Sequence, residues 1–224
     1  MYEKIFDVDA QKRMDLFFME ELSKYGKIET FQKGQIINPK KPNYIYIILE
    51  GELNQVMYSR NGDEIIFYRI TEGSIFGEID FFDKNRTFVV NKAVTNCKIS
   101  IVNREVVESK LKEEPKIYEH FLMSIVIKYR MIMLELANFQ FNDAIGKLAD
   151  FFTRLYYTEN INEKNNISIV LTHEEIANRV GLNRITVTNG MKLFKEKNLI
   201  EMKDRRIVIK DIEGLKKLTN IPIE

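Results

Sequence analysis

The stretch LTHEEIANRVGLNRITVTNGMKLFKEKNLI, from Leu171 to Ile200, decides how the rest of the chain is read. Thr172 with Glu175 three residues later fits a capping box, in which each side chain satisfies a backbone amide at the other position. A helix therefore begins at Thr172 and turns Ile176 and Ala177 inward, Ala177 being small enough to allow a close helix crossing. Gly181 follows four residues on, where a tight turn needs the left-handed backbone that glycine adopts freely. Asn183 is an N-cap for a second helix, and Val187 points back into the pair. An alanine, a glycine four residues on and a β-branched residue six further is the spacing of a helix-turn-helix. An ordinary helical hairpin is the alternative.

Charge separates the two readings. Between Arg179 and Lys217 there are eleven basic and five acidic residues, a surplus of +6, whereas the whole 224-residue chain carries a formal charge of only +1. A local basic surface on a neutral chain is the phosphate-binding footprint of a DNA reader. Arg184 and Asn189 on the second helix suit base edges, guanine or a phosphate for the first and adenine for the second. Thr186 and Thr188 suit a phosphate or a thymine methyl, Lys192 a phosphate, and Thr172 and His173 at the first helix's start a phosphate; Asn183 before the second helix is a further DNA-binding candidate. IEMKDRRIVIK reads as a hairpin turning at Lys203-Asp204-Arg205, whose Lys203, Arg205 and Arg206 form a wing on the DNA backbone.

Outward from that unit, NDAIGKLADFFTRLYY is an amphipathic helix opening the domain, 142–224, and ISIVL is a short strand. Before it, Pro115 to Phe141 contains no Gly and no further Pro. Leu122, Ile125, Tyr129, Ile132, Leu136 and Phe139 follow steps of three and four, the seam of a self-paired coiled coil. Packing of this central helix, 115–141, on the chain's own sheets is the competing reading, with Met123, Val126 and Met133 as the inward residues.

Residues 1–114 have a different texture. YIYIIL, ELNQVMYS and EIIFYRI are strands separated by Glu50-Gly51 and Arg60-Asn61-Gly62-Asp63, and FVVNKAVTNCKISIV adds more. Asn-Gly between alternating runs is a hairpin signal, and many short strands with glycine turns predict a β-sandwich or jelly-roll barrel. The fold class is therefore α+β: an N-terminal double-stranded β-helix or jelly roll, a long dimerisation helix and a C-terminal winged helix-turn-helix. The single cysteine, Cys97, excludes a disulfide framework and a cysteine-ligated iron–sulfur cluster. No Ser/His/Asp or Cys/His arrangement, phosphate loop or metal cluster appears, so no enzyme and no cofactor are expected. No basic-then-apolar leader opens the chain and no apolar run reaches a membrane-spanning length of ~18 residues, so a cytoplasmic protein without a membrane partner is expected.

Barrel, long helix and winged helix-turn-helix together make the sequence resemble the CRP/FNR superfamily of bacterial transcription regulators, over about Gly26 to Leu218. FGEIDFF (Phe76 to Phe82), the 122–139 seam and the 171–200 stretch carry the resemblance. It implies a homodimer on a double-stranded operator, RNA polymerase as a further partner, and an effector bound between barrel and central helix. The effector site implied comprises Gly77, Glu78, Arg86, Thr87, Tyr129 and Met133. In the cyclic-nucleotide members a Gly-Glu pair opens a short helix facing the phosphate, the Glu holds the ribose hydroxyl, and an Arg with Ser or Thr pairs with the phosphate. Here Gly77-Glu78 and Arg86-Thr87 match that motif, but the segment between them is about two residues shorter, so a different small effector is expected. In the reading helix Arg184 matches the cyclic AMP receptor's first arginine, while Ile185 and Asn189 stand where that receptor has a glutamate and a second arginine; a different operator is expected. The order His173, Ile176 to Gly181, Thr186 to Thr188 is also similar to the halophenol-sensing regulators of reductive dehalogenation, which points to an organic, partly aromatic effector. The readings left open are a cyclic-nucleotide-binding module of other machinery and a regulator active without ligand. Gly190 inside the second helix either makes space filled by Met191 or Phe194 or lets the helix bend.

Overall fold

The computed structural model describes residues 8–37, 43–62, 64–159, 168–169, 171–203 and 206–221. Two compact units divide the chain within its longest helix, between residues 132 and 133. The sequence-based division at 114/115 and 141/142 treats that helix as a separate piece instead.

In the first unit, helix α1 (Val8–Leu16) runs on through a π-helical turn, Phe17–Leu22, and a 3-10 turn, Ser23–Tyr25. Among the described residues eight strands follow: β1 (Lys27–Phe31), β2 (Ile36–Ile37), β3 (Tyr44–Glu50), β4 (Leu53–Tyr58), β5 (Glu64–Ile70), β6 (Ile75–Phe76), β7 (Val90–Ala93) and β8 (Cys97–Asn103). Helix α2 (Glu78–Asp83) lies between β6 and β7, and α3 (Arg104–Glu113) follows β8. The strands form two antiparallel four-stranded sheets, ordered β1-β8-β3-β6 and β2-β7-β4-β5. Among the described residues no ladder joins the two, so the architecture is a jelly-roll-like sandwich rather than a closed barrel.

The apolar run of β3 is explained by burial on both faces. Tyr46 and Ile48 enter the core between the sheets with Leu53, Phe76 and Ile99. Ile45 and Ile47 enter a second core on the other side, with Phe18, Leu22, Phe81, Val107, Leu111 and Phe121 from the surrounding helices. Helices α1 and α3 are not foreseen by the sequence reading. They are highly charged, and the residues buried in the core are few: Met14 with Phe18 and Leu22 of the π-helical turn at spacings of four, and Val107 and Leu111 at the same spacing. Cys97 is buried between the sheets.

Helix α4 (Ile117–Phe141) starts two residues after Pro115. Its inward stripe on the first unit is Ile117, Phe121, Ser124 and Lys128, all buried. Its six-residue seam lies one position round the helix. Leu122, Tyr129, Ile132, Leu136 and Phe139 are 42–71% exposed in the single chain, with Ile125 half-buried. Met123 and Met133 are exposed rather than turned inward.

The second unit contains α5 (Ala144–Glu159), β9 (Ser168–Ile169), α6 (His173–Val180), α7 (Arg184–Glu196), β10 (Ile200–Lys203), β11 (Arg206–Ile209) and α8 (Ile212–Lys216). A three-stranded antiparallel sheet, β10-β11-β9, packs beside the helices. Leu148, Phe152, Ile176, Val187, Met191, Phe194, Ile207 and Leu215 form one core. The Asn142 amide donates to Asn138 Oδ1 (2.8 Å) and Thr219 Oγ1 (3.0 Å), and Asn142 Oδ1 accepts from Asn220 N (2.6 Å), tying the end of α4 to the C-terminal segment.

Candidate nucleic-acid interface and sensor site

The helix pair is fixed at its ends. Thr172 Oγ1 accepts from Glu175 N (3.1 Å) and Glu175 Oε2 accepts from Thr172 N (2.8 Å), which completes the capping box. Gly181 takes a left-handed φ of 67° and its amide closes α6 on the Ala177 carbonyl. Asn183 Oδ1 accepts from Thr186 N (2.8 Å) and so starts α7 two residues after the turn. Asn183 thus acts first as a cap, and the Thr186 side chain is half-buried.

At 100° per residue, α7 turns Val187, Gly190, Met191 and Phe194 inward, all buried. Arg184, Ile185, Thr188, Asn189, Lys192, Lys195 and Glu196 form the exposed arc. Gly190 makes space, but for α5 rather than for Met191 or Phe194: a Cβ there would lie 2.6 Å from Leu148 Cδ2 and 3.4 Å from Ile145 Cδ1. The Thr188 hydroxyl donates to the Arg184 carbonyl (2.9 Å) and lies 2.9 Å from His173 Nδ1. Its one proton is spent on the carbonyl, so Nδ1 of His173 is the donor of that pair. Partial burial, then the positive charges of Lys195 and Arg184, hold the imidazole below its usual pKa. In the neutral ring Nε2 is an acceptor, so His173 meets a phosphate only by taking up a proton. Lys203 and Arg206 are exposed and face each other across the β10–β11 ladder. Arg205 lies outside the described residues.

Of the effector residues implied by the resemblance, Gly77, Glu78, Arg86, Thr87 and Tyr129 belong to the first unit and Met133 to the second. Gly77 opens α2 with a φ of 85°, and a Cβ there would come within 2.9 Å of the Tyr44 carbonyl, so only glycine fits. Glu78 is 2% exposed, and its Oε1 accepts from Lys128 Nζ of α4 at 2.6 Å. The same ammonium donates to the Ile75 carbonyl at 2.7 Å. Tyr68 is buried nearby; burial and then the Glu78 charge push its phenol pKa upward. Two residues past Glu78, the buried Asp80 accepts from Thr87 N at 3.0 Å. Burial raises the Asp80 carboxyl pKa, while the bonds from the Thr87 backbone and side chain oppose that shift. Arg86 and Thr87 are exposed, and Tyr129 is 61% exposed on the seam with Met133 beyond it. The structure thus brings Glu78 together with Lys128, which the sequence reading missed, and places Tyr129 outward. Lys128 stands at i+4 from Ser124 and i+7 from Phe121, the only sequence signal that it belongs to the inward stripe.

A family model described as the Crp-like helix-turn-helix domain matches residues 146–218, and one described as the cyclic nucleotide-binding domain matches residues 28–114. The chain belongs to the CRP/FNR family of transcriptional regulators. Like other CRP/FNR members it is a DNA-binding transcription regulator with a domain of the cyclic nucleotide-binding type, and its relatives are regulators rather than enzymes. The cAMP-activated global transcriptional regulator CRP of Pasteurella multocida is 23% identical over 172 residues, covering 76% of this chain and 82% of that one. In fold, the chain is similar to a CooA mutant from Carboxydothermus hydrogenoformans (20% identity, TM-score 0.75, covering 91% of this chain and 93% of that one). It is also similar to CprK complexed with OCPA (14% identity, TM-score 0.70, covering 86% of this chain and 90% of that one). Of the residues that match the cyclic-nucleotide motif, Glu78 is here engaged by Lys128 of the chain itself, and the backbone amide of Thr87 by Asp80.

Proposed function

We propose that the chain acts as a homodimer on a double-stranded DNA operator, with RNA polymerase as its further partner, and that its effector is not a cyclic nucleotide. The observation that carries the dimer is the exposed seam: large apolar side chains at 122, 129, 132, 136 and 139 line one side of α4, more than a solvated helix face needs. A dimer places two copies of α7 on one duplex, as half-site reading requires.

The sensor side supports an effector of a different kind. A ribose hydroxyl would have to displace the Lys128 ammonium from Glu78, and a phosphate would meet the Asp80 carboxylate already seated on the Thr87 amide. Separating a buried pair without replacing both partners costs on the order of 3–5 kcal/mol. An entering effector must therefore offer Lys128 an acceptor, which favours an anionic organic molecule. The second reading, a regulator active with no effector, is supported by the same pair, since Lys128 already fills the position in front of Glu78.

The test combines mass and binding. Light scattering gives the oligomeric state of the wild type and of Leu136→Glu, and anisotropy follows operator binding with cyclic AMP, organic acids and phenols. A wild-type dimer, a monomeric Leu136→Glu and no response to cyclic AMP support the proposal. A wild type that is monomeric in the presence of operator DNA overturns the dimer, and operator binding that appears only with cyclic AMP overturns the effector assignment.

A further inference from the structure

We propose that Ile185 determines operator specificity by reading a thymine C5-methyl group in the major groove. The inference rests on the DNA-binding role of α7 and goes beyond it, because it names a residue and the chemical feature it selects. Ile185 is 74% exposed, and it is the one apolar side chain on the exposed arc of α7, among Arg184, Thr188, Asn189, Lys192, Lys195 and Glu196. It is the second residue of the helix, at the end that recognition helices present to base edges.

The neighbouring groups are committed differently. Asn183 caps the helix through Thr186 N, and the Thr188 hydroxyl is held by the Arg184 carbonyl and His173. Arg184 and Lys192 carry charge suited to phosphates or guanine, and Asn189 offers the amide pair suited to adenine. The major groove presents one apolar feature, the thymine methyl, and Ile185 is the exposed apolar group of this arc that matches it. A methyl buried between Ile185 and a base is worth about a four-fold change in affinity, from the transfer of one carbon group out of water.

The experiment begins with selection of binding sequences from a random duplex library by the full chain. In the best site each thymine is replaced in turn by deoxyuridine, which removes only the methyl. Affinities are measured for the wild type, Ile185→Ala, Ile185→Val and Thr188→Ser. The proposal expects one half-site position at which deoxyuridine weakens the wild type about four-fold. It expects Ile185→Ala to lose that sensitivity, Ile185→Val to keep part of it and Thr188→Ser to keep it all. Wild-type indifference to deoxyuridine at every position overturns the proposal, as does sensitivity that survives Ile185→Ala or disappears in Thr188→Ser. A library with no enriched sequence overturns it together with sequence-specific reading itself, which the substitution results alone cannot do.

Discussion

The N-terminal sandwich and the C-terminal helix-turn-helix domain use polar side chains in opposite ways. In the sandwich, polar groups turn inward and satisfy one another: Lys128 with Glu78, Asp80 with the Thr87 amide, and Gln55 with Asn91 at 2.9 Å. On α7 they turn outward, and the interior is left to Val187, Met191 and Phe194. Buried charge is costly unless paired, so the sandwich holds Lys128 and Glu78 as a pair rather than as separate charges. The exposed arc of α7 holds its donors and acceptors where DNA can take them. The difference separates a site closed on itself from a surface that is open for recognition.

The strongest way to break the contrast is to remove one half of the inward pair. Lys128→Met leaves Glu78 buried and uncompensated and should lower unfolding free energy by about 3–5 kcal/mol in urea titration. Adding Glu78→Leu should recover most of that loss, since a well-packed apolar pair can replace a buried ion pair. Failure of the double substitution to recover stability would mean that Glu78 holds α2 by contacts beyond Lys128.

On the reading side the matching break is at a cap. Asn183→Ala removes the acceptor for Thr186 N and should cost about 1 kcal/mol of stability, seen as a lower midpoint of thermal unfolding. Asn183→Ser, which keeps an acceptor, should cost only a few tenths of that figure.

Asp15 is the exception that sharpens the comparison within the sandwich. Its Cβ would meet a side chain placed at Gly73, and its Oδ1 is buried with no hydrogen-bond partner among the described residues. Burial raises its pKa from 3.8 to about 6, opposed by the Gln11 side chain. A folded-state pKa above the unfolded one gives stability present below pH 3.8 and lost as pH rises through about 6. Asp15→Asn should therefore stabilise the chain by about 1 kcal/mol at neutral pH, after allowance for solvent screening, and by nothing near pH 4. An equal gain at both pH values would remove the carboxylate as the cause.

The smallest effect is expected at Gly190. Alanine gains about 1 kcal/mol of helix propensity and must push aside Leu148 Cδ2, the far end of a flexible side chain. The two should nearly cancel, leaving stability within about 0.5 kcal/mol and operator affinity unchanged. A large loss of operator affinity at unchanged stability would restore the bending role for Gly190.

What could be read from the sequence follows the same division. The helix pair was legible because its signals are local: Thr172 to Glu175, Gly181 and Asn183 act within a few residues of themselves. The β4–β5 hairpin was legible at Asn61-Gly62 for the same reason, with Gly62 at a φ of 90°. The seam's periodicity was legible because its six large apolar residues recur at steps of three and four; five of them are exposed in the single chain. Lys128 was not, because lysine is rarely buried and its partner Glu78 lies 50 residues away. Asp80 was not legible either, since its partner is a backbone amide that no sequence pattern marks. Arg86 and Tyr129 belong to the motif by resemblance, but a motif fixes order along the chain and not the direction of a side chain; both are exposed.

The most direct test of the account is operator binding by the purified chain, followed by anisotropy with and without saturating cyclic AMP. The account predicts sequence-specific binding, weakened by salt as phosphate contacts require and unchanged by the nucleotide. Specific binding that is absent until cyclic AMP is added would contradict it, because Glu78 and the Thr87 amide would then have to be free to receive that ligand.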